Sequence, residues 1–294
     1  VKSKNTQDKE VKRRRIPSHL RLSLPRAGSD SYVTKLLKRH SLRTVCQEAH
    51  CPNKGECFSR GVATFMILGD ICTRGCAFCG VKQGIPRMPD PDEPRRVARA
   101  ASELGLRYVV VTSVTRDDLL DGGARYFAQT ASELRRELPR ATVEFLLPDF
   151  LGRRKSWDAV IESGLDVLSH NVETVPRLYS RVRRGADYHR SISLLRYAGD
   201  NSSGLAVKSG FMVGLGESWE ELEAVMVDLV DAGVEQLVVG QYLKPRQGSC
   251  DVVDYFPPEY FLRIEETARS IGIAHVYARP LARTSYALAL KKPD

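Results

Sequence analysis

Six of the chain's seven cysteines lie between positions 46 and 79, and they fall into two triplets of different spacing. Cys46, Cys51 and Cys57 read C-x4-C-x5-C, whereas Cys72, Cys76 and Cys79 read C-x3-C-x2-C. Thiolates are soft ligands suited to zinc or to iron–sulfur clusters. A structural zinc site closes with four protein ligands, and an ordinary 4Fe–4S cluster takes four thiolates. Three thiolates on a four-iron cube leave one iron open to another ligand. Two such triplets predict two clusters, each one cysteine short, so the missing ligands become the central chemical question. Cys250 stands alone in a loop containing Gly and Pro and reads as an ordinary free thiol.

The elements that must position these residues can be followed along the chain. Residues 62–68 (VATFMIL) form an apolar, β-branched run ending at Gly69-Asp70, and the second triplet follows at once. Residues 92–104 set Val97, Ala100, Ala101 and Leu104 on one helical face, with Pro94 near the start and Gly105 after the end. Strand 107–112 precedes helix 124–138, which Pro139 stops. Strand 142–147 precedes a short helix with Ser156 as its expected cap, and strand 166–170 precedes a helix over 188–198. Strand 206–213 leads to a capping box, Ser218-Trp219-Glu220-Glu221, and the helix it opens buries Leu222, Val225, Met226 and Leu229. Strand 236–240 precedes a helix over 258–271 ended by Gly272, and an extended piece at 273–278 leads into the tail.

Repeated strand–helix units predict a parallel sheet with helices outside, and near-continuous apolar strands fit burial on both faces. The six units found are too few for the eight of a closed barrel. The expected fold is α/β, a partial open (β/α)6 TIM-like barrel, with a doubly wound open sheet as the alternative. No dinucleotide or P-loop pattern supports a nucleotide fold, and Gly214-Leu215-Gly216 reads as a tight turn. The functional face of such a barrel is the C-terminal end of its strands. Thr112, Ser113, Asp149, Asn171, Glu173 and Gln241 sit at strand ends and are expected to converge there with the second triplet. Three regions follow: a basic N-terminal extension with the first triplet (1–61), the barrel (62–272) and a C-terminal extension (273–294).

Composition adds bounds. The 294 residues are 42% hydrophobic and 28% charged, as in soluble globular proteins, and no stretch approaches the length of a membrane span. Bunched cysteines in odd number argue for metal binding in a reducing compartment rather than a disulfide framework. The net charge of +9 is concentrated in residues 1–30, which hold nine Lys/Arg against three Asp/Glu. The run Lys12-Arg13-Arg14-Arg15 reads as a solvated arm, with contact to nucleic acid or an acidic protein as the alternative. No apolar signal segment is seen, and Asp8 and Glu10 are unlike a mitochondrial transit peptide. A bacterial-type cytoplasmic location is expected, with an organellar one left open.

An iron without a thiolate can chelate a small molecule through an amine and a carboxylate, and S-adenosylmethionine (SAM) offers both. An electron delivered to its sulfonium breaks a carbon–sulfur bond and releases a deoxyadenosyl radical. The cofactor carries the hard chemistry, while the protein orients it and excludes water. C-x3-C-x2-C with an aromatic before the last cysteine, here Phe78, is the signature of the radical SAM superfamily. The stretch from Val45 to Cys79, VCQEAHCPNKGECFSRGVATFMILGDICTRGCAFC, closely resembles the lipoyl synthases. So do VVVTSVTRDDLLDGGARYFAQT, PDF, HNVETVPRLYSRVRRGADY, KSGFMVGLGE and GQYLKP, and the resemblance spans nearly the whole chain.

The resemblance implies a specific activity. Lipoyl synthases insert sulfur at C6 and C8 of an octanoyl chain amide-linked to a carrier-protein lysine, giving the lipoyl cofactor. The implied cofactors are two 4Fe–4S clusters and SAM. The cluster on Cys72, Cys76 and Cys79 cleaves SAM once per sulfur, and the cluster on Cys46, Cys51 and Cys57 gives up its own sulfide. The family's fourth ligand to that second cluster is a serine in a C-terminal R-S-S-Y motif. This chain reads Arg283-Thr284-Ser285-Tyr286, so Ser285 matches the ligand and Thr284 is a departure. The implied SAM contacts are Phe78, Thr112, Ser113, Asn171, Glu173 and Lys208. A second departure covers 244–253, where family members often carry H-L-P-V. Implied partners are octanoylated lipoyl domains of 2-oxoacid dehydrogenase complexes, the glycine-cleavage H protein, a reductant protein and an iron–sulfur repair protein. Neither nucleic acid nor membrane is among them.

Two competing readings are distinguishable. A methylthiotransferase would also pair a radical SAM triplet with an auxiliary cluster. A six-cysteine zinc module with a basic DNA-binding arm is the non-enzymatic reading, although fungal-type binuclear modules start with C-x2-C, unlike these spacings.

Overall fold

The computed structural model describes residues 15–21, 31–60, 62–202 and 204–285. Asp8, Glu10, Lys12 to Arg14 and Tyr286 lie outside the described residues, as do the outer parts of both expected extensions. Helix α1 (Ser31–Arg39), strand β1 (Arg43–Thr44) and helices α2 (Val45–Glu48) and α3 (Lys54–Ser59) lead into strand β2 (Thr64–Ile67). A loop with two short strands, β3 (Ile71–Cys72) and β4 (Lys82–Gln83), comes next, followed by α4 (Glu93–Glu103). The chain continues through β5 (Tyr108–Ser113), α5 (Ala124–Glu137), β6 (Thr142–Leu146), α6 (Arg154–Ile161) and β7 (Val167–Ser169). The remainder is α7 (Tyr179–Val182), α8 (Tyr188–Asp200), β8 (Ala206–Val213), α9 (Trp219–Asp231), β9 (Gln236–Gln241), α10 (Pro258–Ile271) and β10 (His275–Ala278).

One sheet runs β1-β2-β5-β6-β7-β8-β9-β10. The β1–β2 pair is antiparallel and all the other pairs in this sheet are parallel. From β2 onward the spatial order follows the chain. An order that never reverses has no switch point, which removes the doubly wound alternative. The sheet ends at β1 and β10 without a bond between them, so the barrel is open. Its inner strands are largely buried on both faces, as for all four residues of β2. Outside the sheet, Phe127 of α5 packs on Phe145 of β6 and on Phe150, with ring centroids 5.2 and 6.1 Å apart. Among the described residues no helix is long and apolar enough to cross a membrane.

The sequence reading differs from the fold in two places. The 273–278 piece is not a lead into a tail: β10 pairs in parallel with β9 and adds a seventh parallel strand. Ser156 does not cap α6, which starts at Arg154 with Arg153 before it; Ser156 is buried inside the helix. The polar stop lies further back, where the Asp149 carboxylate accepts the Leu151 N–H at 3.1 Å and α6 follows directly from that turn.

Candidate active site

Beyond β2 the chain turns sharply at Leu68 and Gly69, both at positive φ. The turn is held by buried charge: the Glu93 carboxylate accepts the Leu68 N–H at 2.7 Å. The cysteine loop that follows is fixed mainly through its backbone. β3 and β4 pair within it, Thr73 N–H donates to Thr115 O at 3.0 Å, and Ala77 N–H donates to Val182 O at 2.8 Å. Arg74 adds a charged anchor, its guanidinium donating to Asp117 at 2.7 and 2.9 Å and to the fully buried Asp149 at 2.6 Å. Two backbone N–H groups point at thiols, Arg74 N to Cys72 Sγ and Val81 N to Cys79 Sγ, both at 3.4 Å. Such donors favour a thiolate.

The first triplet is carried on two short helices. Thr44 caps α2, its hydroxyl accepting the Gln47 N–H at 3.3 Å. Cys46 lies in α2 and Cys57 in α3, and the turn between them is closed by Cys51 N–H to Cys46 O at 3.1 Å. The two cysteine segments meet backbone to backbone at Gly80, where a Cβ would stand 2.9 Å from the Ala49 Cα.

The C-terminal segment closes over both. Gln241 N–H donates to Pro280 O at 3.0 Å, and Asn53 Nδ2 donates to Leu281 O at 2.7 Å. Gly240 permits this approach, because a Cβ there would lie 2.2 Å from Ala282 O. Asn171 Nδ2 donates to Thr284 Oγ1 at 3.0 Å and to Glu173 Oε1 at 3.2 Å. Thr64 Oγ1 donates to Ser285 Oγ at 2.7 Å, and the same Thr64 hydroxyl contacts the Cys46 thiol.

All six clustered cysteines, Ser285, Phe78, Thr112, Ser113, Asn171 and Glu173 line one cavity of about 490 Å³ at the C-terminal mouth of the barrel. Within each triplet the thiols are electrostatic neighbours. Burial first, and neighbouring thiols after it, push Cys57 and Cys76 up to about 12 and Cys46 and Cys79 up to about 11. Such thiols stay protonated at neutral pH until a metal displaces the proton. Among the described residues no three His, Cys, Asp or Glu side chains converge on one point as the ligands of a single ion do. Two buried polar atoms in the lining, Ser113 Oγ and Asn53 Oδ1, have no hydrogen-bond partner among the described residues.

Three expected site residues have other duties. Lys208 is buried inside the barrel on Glu144 and the Thr284 carbonyl and does not line the cavity. Asp149 serves Arg74. The Gln241 amide ties the 242–256 segment, donating to Val213 O and Asp254 O and accepting the Phe256 N–H. Conversely, the sequence reading passed over Arg183, Arg283 and Thr64, which line the cavity. Thr64 had a signal, a lone hydroxyl in an apolar run. Arg183 had none, lying among several arginines. Burial raises the Glu173 carboxyl, and Arg183, Asn171 and Arg283 oppose that rise. This part of the cavity thus brings a carboxyl and guanidinium groups together.

Residues 66–229 match the model of the Radical SAM superfamily. The fold is also similar to that of Streptococcus suis SuiB bound to S-adenosylmethionine, at a TM-score of 0.54 and 14% identity over 74% of this chain and 50% of that one. Methylornithine synthase (PylB) gives a TM-score of 0.54 at 16% identity, over 81% of this chain and 73% of that one. At such identities the likeness is one of fold, and with the matched model it defines a radical SAM enzyme, whose class uses SAM and a 4Fe–4S cluster. Curated relatives are far closer in sequence. The lipoyl synthase of Caldanaerobacter subterraneus is 55% identical over 85% of this chain and 88% of its own. Those of Caldicellulosiruptor saccharolyticus and Alkaliphilus metalliredigens are 50% and 46% identical, over 92% and 96% of this chain and 95% and 98% of theirs. The chain belongs to the lipoyl synthase family, and it is a sulfur-inserting radical SAM enzyme.

Proposed function

We propose that two 4Fe–4S clusters share this cavity, one on Cys72, Cys76 and Cys79 and the other on Cys46, Cys51, Cys57 and Ser285. The observation that carries the reading is that both triplets and Ser285 line one space. The substrate is an octanoyl chain on a carrier-protein lysine, and the product is its 6,8-dithiolated lipoyl form. When bound, the first cluster supplies the electron that splits SAM into methionine and a hydrogen-abstracting deoxyadenosyl radical, and the second supplies sulfide.

The chain's own residues do the rest. Phe78, Thr112, Ser113, Asn171 and Glu173 hold SAM, with Glu173 suited to its amine and Arg183 to its carboxylate. Ser113 Oγ, without a hydrogen-bond partner among the described residues, is available to bond it. Val45, Val62, Met66, Leu146 and Met212 give the lining an apolar stretch suited to eight carbons. That wall also keeps water from a radical. A hydroxyl in place of a fourth thiolate suits a cluster that must release sulfur. In this reading the segments before β2 and after β10 carry the second ligand set onto the barrel, which runs on through β10 rather than ending at 272. The carriers are lipoyl domains of 2-oxoacid dehydrogenase complexes and the H protein, served by a reductant protein and an iron–sulfur repair protein in a cytoplasmic setting.

The test separates the triplets. Cys72→Ala is expected to abolish reductive SAM cleavage. Cys46→Ala is expected still to form deoxyadenosine but to leave an octanoyl-lysyl peptide without sulfur, read by mass spectrometry. Lipoyl product from the Cys46 variant would end the sulfur-donor reading, and a methylthio adduct from the unaltered enzyme would move the chain to another activity.

A further inference from the structure

Lys208 lies on β8 with only 2% of its surface exposed. An ammonium has three hydrogen bonds to give, and all three are directed here. Two go to Glu144 of β6, at 3.0 Å to Oε1 and 3.1 Å to Oε2, and the third goes to the Thr284 carbonyl at 2.8 Å. Glu144 is fully buried, and its carboxylate also accepts from Ser169 Oγ at 2.9 Å and Tyr108 Oη at 2.6 Å. The network is closed, with the C-terminal segment as its last member. A buried charge has no water to fall back on, so its orientation is set by the contacts it makes. The held carbonyl belongs to the peptide unit that leads directly into Ser285. On the far side of that unit, the Thr64 hydroxyl bridges Ser285 and Cys46.

We propose that Lys208, held by Glu144, is a positioning residue for the sulfur-donating site. By fixing the Thr284 carbonyl, it sets the Ser285 hydroxyl beside Cys46, Cys51 and Cys57. The inference rests on the reading of Ser285 as fourth ligand. It assigns to Lys208 a task distinct from SAM contact.

The test uses a neutral pair, Lys208→Met with Glu144→Gln, because losing one charge alone strands the other and threatens the fold. The full chain is reconstituted with iron and sulfide and compared with Ser285→Ala. The neutral pair is expected to form deoxyadenosine at a rate within about twofold of the unaltered enzyme while thiolated product falls about tenfold or more, the usual scale for groups that orient ligands. Its Mössbauer spectrum is expected to shift as that of Ser285→Ala does, and adding the pair to Ser285→Ala is expected to cause no loss beyond that of Ser285→Ala alone. A raised KM for SAM, an equal fall in deoxyadenosine and product, or an unshifted spectrum would overturn the positioning role. If Ser285→Ala acts and the neutral pair does not, this inference alone falls. If Ser285→Ala changes neither spectrum nor product, the fourth-ligand reading falls and takes this inference with it.

Discussion

Two adjacent hydroxyls, at 284 and 285, are committed to different neighbours. Thr284 bonds Asn171 on the side of Glu173, and Ser285 bonds Thr64 on the side of Cys46. The threonine that departs from the family motif thus has a use of its own, and the serine keeps the position matched to a ligand. Thr284→Ala is expected to cost about 1 kcal/mol of stability, a typical net hydrogen bond. Its Mössbauer spectrum is expected to match that of the unaltered enzyme; a changed spectrum would make Thr284 the ligand. His170 supplies a pH prediction. Burial first, and Arg183 next, lower it to about 3, whereas an unfolded histidine titrates near 6.5. Between those values the unfolded chain binds the extra proton. Stability from this group is therefore full above about pH 6.5 and is lost as pH falls toward about 3, at about 1.4 kcal/mol per pH unit. His170→Asn is expected to flatten that dependence in denaturant titrations between pH 7 and 4, and an unaltered slope would assign it to other groups.

Elements carry the next level of specificity. Gly240 of β9 lies under the C-terminal segment, and the atom a Cβ would strike is a backbone oxygen, which cannot swing aside as a side chain can. Gly240→Ala is expected to cost about 1–3 kcal/mol, as overpacking does, and to lower sulfur insertion more than SAM cleavage. Equal losses in the two assays would show that the segment does not act on one site selectively. The elements legible in the sequence were those whose signals are local. The Ser218 capping box forms both of its bonds, and α9 buries the four residues that its periodicity marks. Helix α10 ends at Gly272, which has φ 125°. Strand β10 was only half legible, because its role as a strand depends on pairing with β9, far earlier in the chain. Two-residue β1 is too short for any periodicity. Lys208 misled for a related reason: a polar residue on a barrel strand serves the mouth or the interior according to depth, and depth is a property of neighbouring strands.

At the scale of the molecule, the cysteine triplets were legible because their spacing is local, and their meeting was not, because it depends on the Gly80–Ala49 contact and on a segment two hundred residues away. Two triplets of thiols predict about eight iron and eight sulfide per chain in anaerobically prepared protein. About two zinc without acid-labile sulfide would favour the zinc module. After one turnover, sulfide in the protein is expected to fall while the Cys72 site persists; full retention at both sites beside a thiolated product would require an outside sulfur source. The placement of Ser285 has a further consequence, for biosynthesis. A ribosome releases Cys72, Cys76 and Cys79 long before it reaches position 285. On the proposed ligand assignment, a nascent chain has the ligands of the radical-generating cluster in hand while the sulfur donor still lacks its serine, and the dangerous half of the chemistry comes within reach before the productive half.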